Sequence, residues 1–330
     1  MLEASYPLVS VVMPVHNGAL FLSDAIKSIL KQTYHHFELI IINDGSNDDT
    51  EGIVNAFNDS RIKYHVYTKQ QGIVSALNYG LTLAEGAFIA RMDADDISLK
   101  HRLAKQVEML LNNPDIAILG TQYIGINGRS RALPILHEDI IWHTLNASPF
   151  VHPSVMFRTS FLRLNKIQYN TDYQFAEDLA LWVECFSLTL MANLDEPLIK
   201  YRYHDGTHKK NMEQVAKLNT KIKTGLIKKL IPVLNADDSL RLAICLNRHV
   251  THEYSLLWFK STLAFFDKVL LETGGAIRLQ QALNNCVWFH LTAKPGLFLH
   301  LYKELKIRGW IYLGVRKTMW LILKRLVKYN

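Results

Sequence analysis

Two apolar runs, "LVSVVMPV" at 8–15 and "FELIIIND" at 37–44, leave this chain few folds to choose from. Each is nearly continuous in β-branched and aliphatic residues, with no polar alternation, so each reads as a strand buried on both faces. Asn17-Gly18 breaks the first run, and Leu22, Ile26, Ile29 and Leu30 then recur at helical spacing. "GSNDDT" closes the second run and supplies Asp and Thr to cap a helix through Ile53, Val54 and Phe57. "IKYHVY" alternates as a third strand, Gly72 opens the helical stretch "IVSALNYGLTLA", and "AFIARMD" is a fourth strand. Strands joined by helices at this spacing imply a doubly wound, mostly parallel, Rossmann-like sheet with right-handed crossovers. Ligands of such sheets bind beyond the carboxyl ends of the strands. Pro14-Val15-His16-Asn17, Asn43-Asp44 and Arg91-to-Asp96 each sit at such an end, so the three polar clusters converge on one rim.

The last cluster is the most demanding. Asp93, Asp95 and Asp96 crowd like charges together, which calls for a cation or an array of donors among them. Taken alone, a solvated turn that caps the next helix explains them as well. Downstream, "LKHRLAKQVEMLLNN" reads as a helix stopped by Pro114 and "DIAILG" as a strand. "HPSVMFR" (152–158) is a strand entered through a Pro turn, and "HEDI" (137–140) caps a helix. "EDLALWVECFSL" (177–188) is a helix with Glu177 and Asp178 at its start, and "PLIKYRYH" closes this part near His204. Beyond about residue 210 the pattern is helical throughout. The expected division is therefore a catalytic domain over 1–208 and an all-helical domain over 209–330.

A chain of 330 residues, 49% hydrophobic, buries a core large enough for two such units. Cys185, Cys245 and Cys286 are odd in number and lack metal-ligand spacing, which suggests a reducing compartment. The N-terminal stretch lacks the layout of a secretory signal, and no run reaches the ~18 apolar residues of a spanning helix. A cytoplasmic protein is expected. The formal charge of +7 is localised: residues 295–330 hold eight Lys/Arg and one acidic residue, and the rest of the chain balances. From Gly309 on, helical spacing puts Lys317, Lys324 and Lys328 on one face and Val315, Met319, Ile322 and Leu326 opposite, with Trp310 and Trp320 beside them. Such a helix can lie on an anionic membrane surface, and a helix docked on its own domain explains the pattern too.

Seven ordered blocks over about residues 7–205 resemble family 2 glycosyltransferases with the GT-A fold. They are "VSVVMPVHN", "IIINDGSNDDT", "QGIVSALNYGL", "ARMDADD" with its D-x-D, "HPSVMFR", "AEDLALW" and "YRYH". Two positions depart from the family pattern: His16 stands where Tyr is usual, and Asn43 replaces the first Asp of "DDGS". The resemblance implies an inverting transferase that uses a UDP-sugar donor and Mn²⁺ or Mg²⁺. The acceptor would be a hydroxyl of a glycan or lipid-linked glycan in cell-surface polysaccharide or lipooligosaccharide synthesis. Pro14, Val15, His16, Asn17 and Asp44 would line the nucleotide pocket, Asp93 would bind ribose or phosphate, and Asp95 the metal. Asp178 would be the catalytic base. Arg91 would pair with a phosphate or with the local carboxylates, and His204 would be a metal or phosphate ligand. His152 would meet the acceptor or shape a turn. A faint likeness to bacterial lipooligosaccharide N-acetylglucosaminyltransferases makes GlcNAc the first donor sugar to test. A peripheral position on the inner face of the cell membrane fits lipid-linked acceptors.

Other classes fit less well. A nicotinamide-dependent dehydrogenase needs G-x-G-x-x-G after the first strand, and it is absent. A nucleotide- or calcium-binding module without transferase activity would use D-A-D-D, but the sixth-position Gly and twelfth-position Glu of an EF-hand loop are missing. The basic tail has a strong apolar face and few polar readers, so no nucleic-acid partner is expected.

Overall fold

The structure, a computed structural model, describes residues 6–203, 211–247 and 256–273, together with 281 and 283. His204 and the 309–330 tail lie outside the described residues. The chain divides into two compact units, Met1–Ile141 with Ser148–Asn211, and Trp142–Ala147 with Met212–Asn330. A single boundary at 208/209 carries no such excursion by residues 142–147.

The first unit is built on one mixed sheet of eight strands in the order β3-β2-β1-β4-β7-β6-β8-β5. β1 (Val9–Val15) and β2 (Phe37–Asn43) are buried at every position, as their unbroken apolar composition dictates. They pair in parallel, with β3 (Ile62–Val66) outside β2 and β4 (Phe88–Arg91) inside β1. The connecting helices are α1 (Leu22–Leu30), α2 (Thr50–Asn55) and α3 (Ile73–Leu83). Leu22, Ala25, Ile26 and Ile29 of α1 are fully buried beneath the sheet's core residues Val9, Val11, Met13 and Leu39. The start of α2 is fixed by Asp48, whose carboxylate accepts the Thr50 N–H at 3.1 Å and the Ala19 N–H at 2.9 Å.

Beyond β4 the topology changes. The short β5 (Ile97–Ser98) pairs antiparallel with β8 (Leu190–Tyr201), and α4 (Arg102–Asn112) leads to β6 (Ile116–Gly125). After α5 (His137–Thr144), a 3₁₀ turn at His152–Ser154 enters β7 (Met156–Arg158). β7 runs antiparallel to both β4 and β6, which makes β6 parallel to β4, and β8 runs parallel to β6. The carboxyl ends of β1, β2, β4, β6 and β8 therefore share one rim, joined there by the amino end of β7. α6 (Thr159–Leu164) and α7 (Glu177–Cys185) complete the unit.

In the second unit the described elements are α8 (Met212–Leu230), α9 (Ala236–Leu246) and α10 (Leu256–Glu272). α9 opens on an Asn235 cap whose side chain accepts the Asp238 N–H at 2.8 Å. Among the described residues, no helix is long and apolar enough to cross a membrane.

Candidate active site

On the β1/β2 side of the rim, Pro14 and Val15 are buried and His16 and Asn17 are exposed. Asn17 has φ 51°, a left-handed conformation that Asn tolerates. Its side-chain oxygen accepts the Asn47 N–H and its own N–H donates to Ser46 Oγ, both at 2.9 Å. His16 Nδ1 donates to the Asp44 carbonyl at 2.8 Å. Asp44 is buried, and its carboxylate is fully engaged by backbone: Oδ1 accepts the Gln71 N–H at 2.7 Å and Oδ2 the Gly72 N–H at 2.9 Å. Gly72 has φ 92°, which an L side chain rarely adopts, and it begins α3 there. Asn43 turns inward, donating to the Tyr64 hydroxyl at 2.7 Å and accepting the Ser46 N–H at 2.9 Å. Both family departures, His16 and Asn43, thus brace this loop pair.

The acidic loop follows β4. The strand stops at Arg91, so the acidic residues that follow do not keep strand geometry. Asp93, Asp95 and Asp96 instead bring one carboxylate oxygen each to within 4.8 Å of one another. Arg91 is buried and its guanidinium lies 2.5 Å from Asp93 Oδ2, which fixes it on the local carboxylates. Arg102, fully buried behind the loop, donates to the Arg91 carbonyl at 2.7 Å and to Gln106 Oε1 at 3.0 Å. Burial, with the Arg91 charge nearby, lowers the Arg102 pKa to about 9. Asp96 is fully buried; Oδ1 accepts the Arg202 N–H at 2.7 Å, and Oδ2 has no hydrogen-bond partner. Burial and then the Asp93 charge push the Asp96 carboxyl up to about 8. Arg202 also donates from Nε to the Asp95 carbonyl at 3.1 Å. An orphaned buried oxygen in an all-oxygen set of three is what a hard divalent cation satisfies, so these residues fit Mn²⁺ or Mg²⁺.

The third cluster stands at the start of α7. Ala176 is the N-cap, so Asp178 sits inside the first turn rather than capping it. Asp178 Oδ1 accepts the Leu179 N–H at 2.6 Å, and Ser148 donates to Oδ2 at 3.4 Å. Burial raises the Asp178 pKa, while the Leu179 N–H and the Arg91 charge pull it back. Glu177 is buried with Oε2 unpartnered; burial and then the adjacent Asp178 raise it to about 7. Phe175, just upstream, is held at φ 75°, a strained conformation for a bulky residue. A Cβ on Gly72 would lie 3.6 Å from Gln174 Nε2, so the turn into α7 abuts the Asp44–Gly72 clamp. His152 lies 2.8 Å from the Tyr169 hydroxyl, and its ring meets the buried Trp182 at 5.9 Å. Burial and the Arg91 charge hold His152 well below its ordinary pKa, so it is neutral.

Ser148 and Tyr169 entered the site unannounced by sequence, because no motif marks them; Arg202 stands within the YRYH block, whose reading rested on His204 instead. Arg102 and Gln106 did carry a signal. They share the buried stripe of α4 with Leu103, Val107 and Leu110, a spacing that puts two polar side chains indoors.

Residues 10–178 match the sequence profile described as glycosyl transferase family 2. An uncharacterized glycosyltransferase of Haemophilus influenzae is 35% identical over 213 residues, covering 60% of this chain and 66% of its own length. An uncharacterized glycosyltransferase of Rickettsia typhi is matched over 65% of its length and one of Rickettsia conorii over 33%, so the chain spans less than two thirds of these relatives. The O-antigen biosynthesis glycosyltransferase WbnJ of Escherichia coli is 35% identical over 218 residues, 62% of this chain and 83% of WbnJ. Among solved structures, S. aureus TarS 1–349 in complex with UDP-GlcNAc superposes with a TM-score of 0.60 at 20% identity, covering 87% of this chain and 92% of TarS 1–349. A Pyrobaculum calidifontis mannosyltransferase in complex with GDP-Man and Mn²⁺ gives 0.54 at 18% identity, covering 86% and 88% of the two chains. These two likenesses establish a shared GT-A fold.

Proposed function

We propose that this chain, which belongs to glycosyl transferase family 2, moves a sugar from a UDP-sugar to an acceptor hydroxyl with inversion at the anomeric carbon. The acceptor is a glycan or lipid-linked glycan, and GlcNAc is the first sugar to test. The observation that carries this reading is the three-carboxylate cluster with an orphaned oxygen at the end of β4, with the β1 and β2 loops on the same rim and the Glu177-Asp178 pair within reach of the Arg91 charge. The UDP-GlcNAc held by TarS, the Mn²⁺ held by the mannosyltransferase and the O-antigen role of WbnJ support the donor, metal and acceptor classes.

In this reading Pro14, Val15, His16, Asn17 and Asp44 frame the nucleoside. Asp95 would hold a divalent cation with Asp93 and Asp96 beside it, and Asp93 would bind the ribose or a phosphate. When bound, that cation supplies positive charge against the diphosphate. Arg91, fixed on Asp93, adds a buried cation beneath it. Asp178 accepts the proton of the acceptor hydroxyl as its oxygen bonds to the anomeric carbon and the bond to the UDP oxygen breaks. The proton goes to Oδ2, which Ser148 reaches only at 3.4 Å, while Oδ1 is held at 2.6 Å by the Leu179 N–H. Ser148 orients that carboxylate. Glu177, itself drawn toward the neutral form, keeps a second full charge from crowding Asp178 at neutral pH. His204 is assigned to the metal or phosphate as an expectation of the family pattern alone. In this reading the protein works in the cytoplasm, and its 309–330 segment would bind an anionic membrane face.

A donor-hydrolysis screen across UDP-sugars, with and without Mn²⁺, tests this reading. Metal-dependent release of UDP from one sugar, with an inverted product by NMR, is expected. No hydrolysis or UDP binding under any of these conditions would sink it.

A further inference from the structure

Past the carboxylates, away from the β1/β2 pocket, the rim carries three tyrosines. Tyr123 lies near the carboxyl end of β6, Tyr201 ends β8, and Tyr203 follows two residues later. Their rings pack edge to face: Tyr201 and Tyr203 at 5.0 Å and 88°, Tyr123 and Tyr201 at 5.9 Å and 78°. The Tyr203 hydroxyl donates to the Tyr123 hydroxyl at 2.8 Å, and Gly125 makes the room, since a Cβ there would lie 2.8 Å from the Tyr203 ring. Tyr123 is buried, yet Tyr203 leaves 48% of its surface in water. This fixed, half-exposed ring is tied to the acidic loop through Arg202, whose N–H donates to Asp96 and whose Nε donates to the Asp95 carbonyl. Tyr201 is close enough to Asp93, Asp95 and Asp96 for their charges to act on it.

We infer that the Tyr203 ring, backed by Tyr201 and Tyr123, is the stacking platform for a pyranose ring of the acceptor. A pyranose presents a face of C–H bonds that an aromatic ring covers without needing donors, and a ring already locked by its neighbours loses little entropy on binding. The order of strands along the rim assigns the occupant. The nucleotide pocket is at β1/β2, the carboxylates at the end of β4, and the tyrosines at β6/β8, so a sugar over Tyr203 lies across the carboxylates from the nucleoside. The inference rests on the transferase reading: with the nucleoside at β1/β2, the acceptor is taken to approach from the far side of the carboxylates.

The test uses the full chain saturated with UDP and Mn²⁺, and methyl glycosides of glucose, galactose and N-acetylglucosamine at millimolar concentration as probes. Saturation-transfer NMR should mark the ring C–H protons of at least one glycoside in wild type and Tyr203→Phe. The affinity should fall roughly tenfold in Tyr203→Ala. Equal signals in wild type and Tyr203→Ala, or none in wild type for all three glycosides, overturn the platform. UDP–Mn²⁺ affinity is measured by calorimetry on the same samples. If wild type does not bind UDP–Mn²⁺, the transferase reading falls, while the glycoside signals still judge Tyr203. If only Tyr203→Ala loses UDP–Mn²⁺, the residue supports the acidic loop and the platform is refuted. Should Tyr203→Ala fail to fold, Tyr203→Leu decides: it keeps apolar area without a π face, and an undiminished signal in it refutes the proposal.

Discussion

Asp44 and Asp96 are two buried carboxylates on one rim with opposite fates. Asp44 has both oxygens answered by backbone N–H groups that lie on one short loop. Asp96 has one oxygen answered by Arg202 and the other left bare beside two more carboxylates. The first is a finished structural clamp that holds the pocket wall at Gln71 and Gly72. The second is an incomplete arrangement, the one the proposed cation would complete. Burial alone does not distinguish a structural acid from a binding one; the accounting of each oxygen does.

The sharpest way to break this comparison is Asp95→Ala, which should abolish Mn²⁺-dependent UDP binding by removing a coordination position and a charge together. Calorimetry showing an unchanged affinity would remove Asp95 from the cation site. Next in size is Asp178→Asn, which keeps donor binding and should lose ~10²–10⁴-fold in turnover, because the amide cannot take the proton. Near-normal single-turnover rates would move the base to Glu177. On the clamp side, Asp44→Ala leaves the Gln71 and Gly72 N–H groups without their acceptor and should cost about 1–3 kcal/mol in urea unfolding. An unaltered midpoint would mean that the loop finds other acceptors.

A smaller effect tests the Glu177-Asp178 pair. Glu177 has a folded pKa of about 7, above its unfolded value, so the folded state binds more protons. Its contribution to stability is greatest below the ordinary carboxylate range and declines as pH rises toward and through 7. Glu177→Gln should flatten that decline in thermal melts, and an identical slope would refute the assignment. Smallest in the catalytic readout is deletion of 309–330. It should leave UDP-sugar hydrolysis intact while weakening sedimentation with anionic vesicles at low salt, by ~1 kcal/mol per lost Lys/Arg before screening. A full-length protein that ignores those vesicles would end the membrane reading.

The sequence made the parallel half of the sheet plain, because Val9–Val15 and Phe37–Asn43 are buried on both faces and leave no other pattern. The same periodicity placed Asp44 and Asp93–Asp96 on one rim. It could not show that the chain departs from strand geometry at Arg91, since that turn is enforced by Arg102 and Arg202 from other elements. The antiparallel insertion of β7 between β4 and β6 was equally hidden, because three residues of strand leave too short a pattern to orient. Ser148 and Tyr169 act through tertiary contacts, and no local spacing announces those.

The bond from the Arg202 N–H to Asp96 spans 106 residues of chain. Everything between must be made before the acidic loop receives its last donor. During synthesis, a nascent chain that has emerged only as far as α4 holds all three aspartates yet lacks the strand that sets them. The proposed cation site is therefore complete only once residue 202 has emerged, and a ribosome-bound fragment ending before it should show no competence for metal.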